Sequence, residues 1–86
     1  MTLQIFPNPY KDLVNIKYYL KKETAVNIKI FDVSGKEVQA IVSSIQGKGE
    51  YAYIFNAKQI GLQSGTYFVK LKFNNTTYVK KILEVK

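Results

Sequence analysis

The chain has 86 residues, of which 47% are hydrophobic and 14% aromatic, and its formal net charge is +7. This length and composition predict one folded domain with a modest core, outside the low-hydrophobicity range of disordered chains. The absence of cysteine excludes disulfides and thiolate metal sites, and the absence of histidine removes the commonest general base and metal ligand.

The positive charge raises the question of a nucleic-acid or membrane partner. Every basic residue is a lysine, and the lysines are spread over nearly all the predicted strands and turns. Arginine is the residue that usually makes bidentate contacts to phosphates and bases, and the chain has none. No apolar run approaches the roughly 18 residues of a membrane helix. We therefore expect dispersed solubilising charge, no nucleic-acid partner and no membrane insertion.

Three short elements are predicted in the first third. Residues 3–6 form an apolar run that stops at Pro7-Asn8-Pro9, and the two prolines predict a brief edge strand followed by a stiff corner. Residues 14–20 alternate apolar and polar side chains, which is typical of a half-buried strand. Residues 26–30 repeat the alternation after a polar turn at 21–24, so we expect these two strands to pair as a hairpin.

The middle of the chain contains two more strands. Asp32 and Gly35 predict a turn, because an aspartate can accept hydrogen bonds from its own downstream backbone and a glycine tolerates positive φ. A strand over 37–42 follows. Gly47-Lys48-Gly49 breaks the chain before another alternating strand at 51–55. Residues 57–64 show no sustained period and are predicted to cross between two sheets.

The last third predicts a β-hairpin. Residues 67–73 alternate with one apolar face, and Asn74-Asn75 suits a two-residue turn. The second arm, residues 76–85, has no uniformly apolar face. Two explanations remain open: a bulge near Lys80 and Lys81 that turns the strand, or an edge strand whose lysines block pairing with other sheets.

Six or seven short strands without any 3.6-residue period predict an all-β, immunoglobulin-like antiparallel sandwich of about seven strands. We expect the core to be built from alternating apolar residues of these strands. The predicted core comprises Val14, Ile16, Tyr18, Val26, Ile28, Ile30, Tyr53, Phe55, Tyr67, Val69 and Leu71.

Catalytic signals are weak. The six acidic residues are scattered, with none of the spacing that a calcium loop or a carboxylate pair requires, and no serine has a histidine to activate it. We therefore expect a non-enzymatic module without cofactor or metal. Exposed tyrosines such as Tyr10, Tyr19 and Tyr78 leave sugar stacking open as an alternative.

Four features together carry a resemblance that extends from Phe6 to Lys86. They are Pro7-Asn8-Pro9, the run at 31–38 with Asp32 and Gly35, the pair Gly65-x-Tyr67, and lysines near the end. The chain resembles the C-terminal sorting domain of the type IX secretion system of Bacteroidetes. The run at 31–38 is also similar to other bacterial immunoglobulin-like modules, such as the flagellar hook-cap domain. Two departures are Tyr10, where a small residue is usual, and Asn74-Asn75, where many members have glycine.

The resemblance implies that residues 1–86 are a single sorting domain appended to an upstream passenger. It implies recognition by the outer-membrane translocon after the passenger reaches the periplasm. It also implies removal by a sortase-like cysteine peptidase, which leaves the passenger at the outer-membrane surface or outside the cell. The alternative is a structural immunoglobulin-like spacer or carbohydrate-binding module within a secreted protein.

The motif residues divide by expected role. We expect Gly65 to need positive φ where it enters its strand. Residues expected to hold the fold are Pro7, Asn8, Pro9, Asp32, Gly35, Gly65 and Tyr67. Residues expected to face the secretion machinery are Lys80, Lys81 and Lys86, since an exposed terminal strand can be extended by backbone pairing with another protein.

Overall fold

The computed structural model describes residues 2–85, which form two antiparallel sheets packed face to face. The strands are β1 (Thr2–Phe6), β2 (Val14–Leu20), β3 (Thr24–Phe31), β4 (Glu37–Gln46), β5 (Gly49–Phe55), β6 (Thr66–Phe73) and β7 (Thr76–Leu83). One sheet has the order β1-β2-β5 and the other β4-β3-β6-β7. Within residues 2–85 no helix is long and apolar enough to cross a membrane. The predicted all-β sandwich of about seven strands is confirmed.

Alternate side chains of each inner strand meet between the sheets. The ring of Tyr18 on β2 packs edge-on against Phe73 on β6, with 5.1 Å between centroids. Phe55 on β5 meets Tyr67 on β6 in the same way at 5.4 Å. Such edge-to-face pairs add to the hydrophobic gain of burial. The period-2 pattern of the sequence thus becomes the sandwich core.

The predicted core is confirmed except for Tyr53, which is only partly buried. Tyr53 lies at the partly buried margin of the core, where its hydroxyl accepts a hydrogen bond from Gln46 Nε2 at 2.7 Å. Tyr10, Ala57 and Ile82 are fully buried although none was in the predicted set. Tyr10 and Ala57 lie in connections, and Ile82 lies on the strand with mixed faces, so alternation gave no signal for them.

The predicted pairing of β2 with β3 is wrong. Consecutive in sequence, the two strands lie in different sheets, and residues 21–23 carry the chain from one sheet to the other. β2 pairs with β1 and β5, whereas β3 pairs with β4 and β6. Alternation of apolar and polar residues indicates only that one face of each strand is buried. The next strand along the chain shows the same alternation whether it pairs with the first strand or lies in the facing sheet.

The hairpin of β6 and β7 is confirmed, and its register is even from Thr66↔Leu83 to Phe73↔Thr76. The bulge predicted near Lys80 and Lys81 is therefore absent, and β7 is an edge strand. That its lysines block pairing with other sheets stays a prediction. Register shifts occur instead in the pairing of β3 with β4, between Ile28 and Lys29 and between Ile30 and Phe31.

Candidate recognition surface on the C-terminal hairpin

β7 is the outermost strand of its sheet, so one of its edges has no neighbouring strand of full length. Phe73 and Thr76 flank the two-residue turn, where Asn74 has a φ of 53°. In an antiparallel ladder, alternate residues direct their backbone groups toward the partner strand and away from it. With this register, the residues whose backbone N–H and carbonyl groups point away from β6 are Thr77, Val79, Lys81 and Leu83.

Residues 7–10 close the C-terminal part of this edge. The Asn8 side-chain amide donates to the Lys81 carbonyl at 2.8 Å, and its oxygen accepts from the Leu83 N–H at 3.3 Å. The Tyr10 N–H donates to the Leu83 carbonyl at 2.9 Å, and the Val85 N–H donates to the Tyr10 carbonyl at 2.8 Å. The segment from Pro7 to Tyr10 thus leaves the three-stranded sheet, pairs with the end of β7, and occupies half of its edge.

The other half of the edge stays open. Among residues 2–85, no strand or side chain pairs with the outward backbone groups of Thr77 and Val79 or with the N–H of Lys81. The Val79 side chain is 60% exposed. We call this stretch, residues 77–81, the open edge. An exposed strand edge is a template for pairing with another chain.

The Pro-Asn-Pro motif is placed where the sequence predicts, at a corner after β1. Both Pro7 and Pro9 follow cis peptide bonds and both are exposed. The two prolines predict the stiff corner, but they do not predict that the Asn8 side chain binds β7, because Asn8 and Lys81 are 73 positions apart. One signal for this contact is an asparagine between two prolines. The prolines lack a backbone N–H for strand pairing, whereas the asparagine side chain can donate and accept hydrogen bonds.

Beneath this segment Tyr10 is buried beside Glu84. Both side chains are almost fully enclosed, and neither the Tyr10 hydroxyl nor Glu84 Oε1 has a hydrogen-bond partner among residues 2–85. Burial raises the pKa of Tyr10 to about 12, and the charge of Glu84 adds to the effect. The expectation that Tyr10 is exposed is therefore wrong, because pairing of its backbone with β7 turns the ring into the core.

Gly65 and Tyr67 fix the start of β6. Gly65 has a φ of 152°, and its carbonyl accepts from the Glu84 N–H at 3.0 Å. The predicted positive φ is confirmed. The buried Tyr67 hydroxyl donates to the Gln63 carbonyl four residues upstream, and its ring packs on Phe55. A tyrosine at the start of this strand that bonds back to the preceding loop is a known feature of immunoglobulin-like sandwiches.

Asp32 organises the turn between β3 and β4. Asp32 Oδ1 accepts from the Ser34 hydroxyl at 2.6 Å, the Ser34 N–H at 2.9 Å and the Lys36 N–H at 3.0 Å. These bonds, led by that from the Ser34 hydroxyl, lower the pKa of the Asp32 carboxyl. Gly35 has a φ of 87°, which suits a residue without Cβ. The turn predicted from Asp32 and Gly35 forms on the far side of β3 from the hairpin.

The predicted recognition lysines do not form one cluster. Lys80 pairs with Val69, so it lies on the inward face of β7, and Lys81 pairs with Phe68 on the outward face. Both side chains are exposed. Neither makes an ion pair within residues 2–85. Lys86 lies outside the described residues.

The sequence of this domain matches a known protein family. The family described as the secretion system C-terminal sorting domain matches residues 4–86, nearly the entire chain. No curated protein matches. The chain belongs to the type IX secretion C-terminal sorting domain family. It is a sorting signal for type IX secretion, and export leads to the cell surface or the extracellular space.

The sorting domain shows little that could support an independent binding activity for sugars or metals. Within residues 2–85, no group of three or more acidic residues could hold a metal ion. The three tyrosines considered for sugar stacking do not form a platform, since Tyr10 is buried and Tyr19 and Tyr78 belong to different sheets. The open edge and the lysines beside it are exposed to a partner.

Proposed function

We propose that residues 1–86 form one folded, non-catalytic domain that the outer-membrane translocon of the type IX system recognises after the passenger has entered the periplasm. A sortase-like peptidase then removes the domain upstream of β1 and leaves the passenger at the surface. The translocon and peptidase are the specific partners in this proposal. Membership of the sorting-domain family supports it.

The observation that supports recognition of the folded state is the open edge. Its backbone groups are aligned only while β7 is paired with β6 and while residues 7–10 hold the end of β7. An unfolded chain presents no such array. We propose that Lys80, Lys81 and Lys86 add charge that orients docking at this edge.

The main experiment fuses residues 1–86, with the natural upstream linker and a signal peptide, behind a fluorescent passenger in a host with the type IX machinery. We expect the passenger to reach the cell surface, measured by protease accessibility and cell fractionation. A fusion without the domain is the control and should remain in the periplasm. Equal secretion of both fusions would reject the sorting function and favour a structural spacer.

A second experiment tests the lysines. Replacement of Lys80, Lys81 and Lys86 by Gln should reduce export. Lys80 and Lys81 are exposed, so their replacement should change the free energy of unfolding by only about a few tenths of a kcal/mol per site. The matched control replaces three exposed lysines outside β7, Lys17, Lys36 and Lys48, and removes the same charge. Export lowered equally by both triple variants would mean that total charge matters and that Lys80, Lys81 and Lys86 have no specific role.

A further inference from the structure

The open edge lies directly beside a groove between the two sheets. Thr76 and Tyr78 of β7 line this groove together with Leu20, Phe73 and Asn74, and Lys21 and Lys22 stand at its rim. Its volume is about 250 Å³. We propose that a partner protein adds an extended, acidic segment to the open edge as a further strand and inserts one apolar side chain into this groove. This inference rests on the proposed sorting function and specifies the partner's chemistry.

The hydrogen-bonding capacity of the open edge is sufficient for a short added strand. Val79 presents both its N–H and its carbonyl away from β6, as does Thr77, while Lys81 contributes its N–H because Asn8 already binds its carbonyl. A strand of about five residues can satisfy these groups. Asn8 and Tyr10 block further pairing toward the C-terminus, so they also limit where such a strand can end.

The groove sets the side-chain requirement on the inner face. Tyr78 lies on the inward face of β7, opposite Leu71, and 38% of it is exposed. A residue of the added strand opposite Tyr78 would also point inward, between Tyr78 and Leu20. Its surroundings are the rings of Phe73 and Tyr78, which pack edge-on at 6.2 Å, and the Leu20 side chain. An aliphatic side chain fits this environment.

Charge determines which class of partner fits. Lys80 lies on the inward face of the strand, Lys81 on the outward face, and Lys21 and Lys22 at the groove. Consecutive residues of an added strand point to opposite faces, so two adjacent acidic residues would reach Lys80 and Lys81 separately. A second copy of this chain carries the same charge of +7 and would bring lysines to lysines. Complementarity therefore favours an acidic segment of another protein over self-pairing.

The probe is a soluble peptide with the central sequence Glu-Glu-Thr-Leu-Thr, designed to pair antiparallel with residues 77–81. This order places the two glutamates opposite Lys81 and Lys80, the central threonine opposite Val79, and the leucine opposite Tyr78. A control peptide is identical except for a methyl group on the backbone nitrogen of the central threonine. The methyl group removes one hydrogen-bond donor and leaves composition and charge unchanged.

The matched protein variants change one position of the edge. Val79→Pro removes an N–H that points away from β6, so the ladder of β6 and β7 keeps its hydrogen bonds, and proline is tolerated on such edges. Val79→Thr keeps the N–H and the β-branched shape. Thermal unfolding of both variants verifies that they are folded.

Binding is followed by amide chemical shifts of the 86-residue domain. We expect the unmodified peptide to shift the amides of Thr77 and Lys81 and to slow the hydrogen exchange of Val79. The N-methylated peptide and the Val79→Pro variant should each weaken binding about fivefold to tenfold, and Val79→Thr should bind as the parent does. Equal affinity for both peptides, or shifts confined to another surface, would overturn the proposal. So would a dimer in sedimentation experiments that depends on Val79.

The export assay separates this proposal from the sorting function. We expect the Val79→Pro fusion to be exported less than the Val79→Thr fusion. If both are exported as well as the parent, the sorting function stands and the edge proposal is wrong. If the parent fusion itself is not exported above the level of the passenger alone, the sorting function fails first.

Discussion

Replacement of Asn8 by Ala tests whether the Pro-Asn-Pro motif holds the C-terminal strand. The variant loses two hydrogen bonds, from Asn8 Nδ2 to the Lys81 carbonyl and from the Leu83 N–H to Asn8 Oδ1. Each bond contributes about 0.5–1.5 kcal/mol net, and because the edge is exposed, water recovers part of the loss. We therefore expect a destabilisation of about 1–2 kcal/mol, which corresponds to roughly 5–10 °C in Tm for a domain of this size.

Urea unfolding followed by circular dichroism gives the free energy, and an unchanged m-value would show that the unfolded state is not altered. Hydrogen exchange localises the effect, since the Leu83 amide should lose protection. The control is Asn15→Ala, which removes a single side-chain bond to the Phe6 carbonyl at 3.2 Å within the other sheet. A loss of unfolding free energy below about 0.3 kcal/mol, together with unchanged hydrogen exchange at Leu83, would refute the idea that Asn8 holds the end of β7 in place.

Four further substitutions test the core, two tyrosine hydroxyls and a turn. Leu71→Ala should cost about 2–5 kcal/mol in urea unfolding, since its side chain is fully buried, and a cost below 1 kcal/mol would contradict that burial. Tyr10→Phe should leave stability unchanged or raised, because its buried hydroxyl has no partner among residues 2–85. Tyr18→Phe should cost about 1 kcal/mol, because its hydroxyl donates to Gln46; the reverse order would contradict these contacts. The pKa of Asp32 is lower in the folded state than its unfolded value of 3.8. The ionised carboxylate therefore stabilises the fold above pH 3.8, and this stabilisation is lost as the pH falls through the pKa of the folded state. The difference in unfolding free energy between the parent and Asp32→Asn should therefore shrink below about pH 4, and a constant difference would argue against the turn bonds.

The elements of the fold could be predicted from the sequence because their information is local. Alternation over β2, β3 and β6 reflects one buried face, and the Asp32 turn depends on residues within a few positions. The β6–β7 pairing could also be predicted, because a two-residue turn joins the strands, but the partners of β2 could not. The three polar residues after Leu20 connect sheets rather than neighbours, and nothing in their chemistry distinguishes the two cases.

The candidate recognition surface depends on contacts between residues that are distant in sequence. Lys80 and Lys81 could be placed on an edge strand, but their positions on opposite faces follow from a register without a bulge. The closure of the edge depends on the Asn8 amide, and the burial of Tyr10 depends on its backbone pairing with Leu83 and Val85. Each joins residues more than 70 positions apart, where no periodicity of the sequence carries information.

The half-closed edge of β7 has a consequence for how a passenger is attached. Thr2 pairs with Tyr19 near the end of β2, and the turn at Asn74 is held to the start of β3, where the Ala25 N–H donates to Asn74 Oδ1 at 3.0 Å. The start of β1 and the start of β7 therefore lie at the same end of the sandwich, whereas the hydrogen bonds of Asn8 with Lys81 and Leu83 lie toward the other end. A passenger joined upstream leaves the domain at the end where the edge is open. A strand that pairs with Val79 has to approach beside that junction, so access to the edge favours an extended linker over a passenger packed directly against the sandwich.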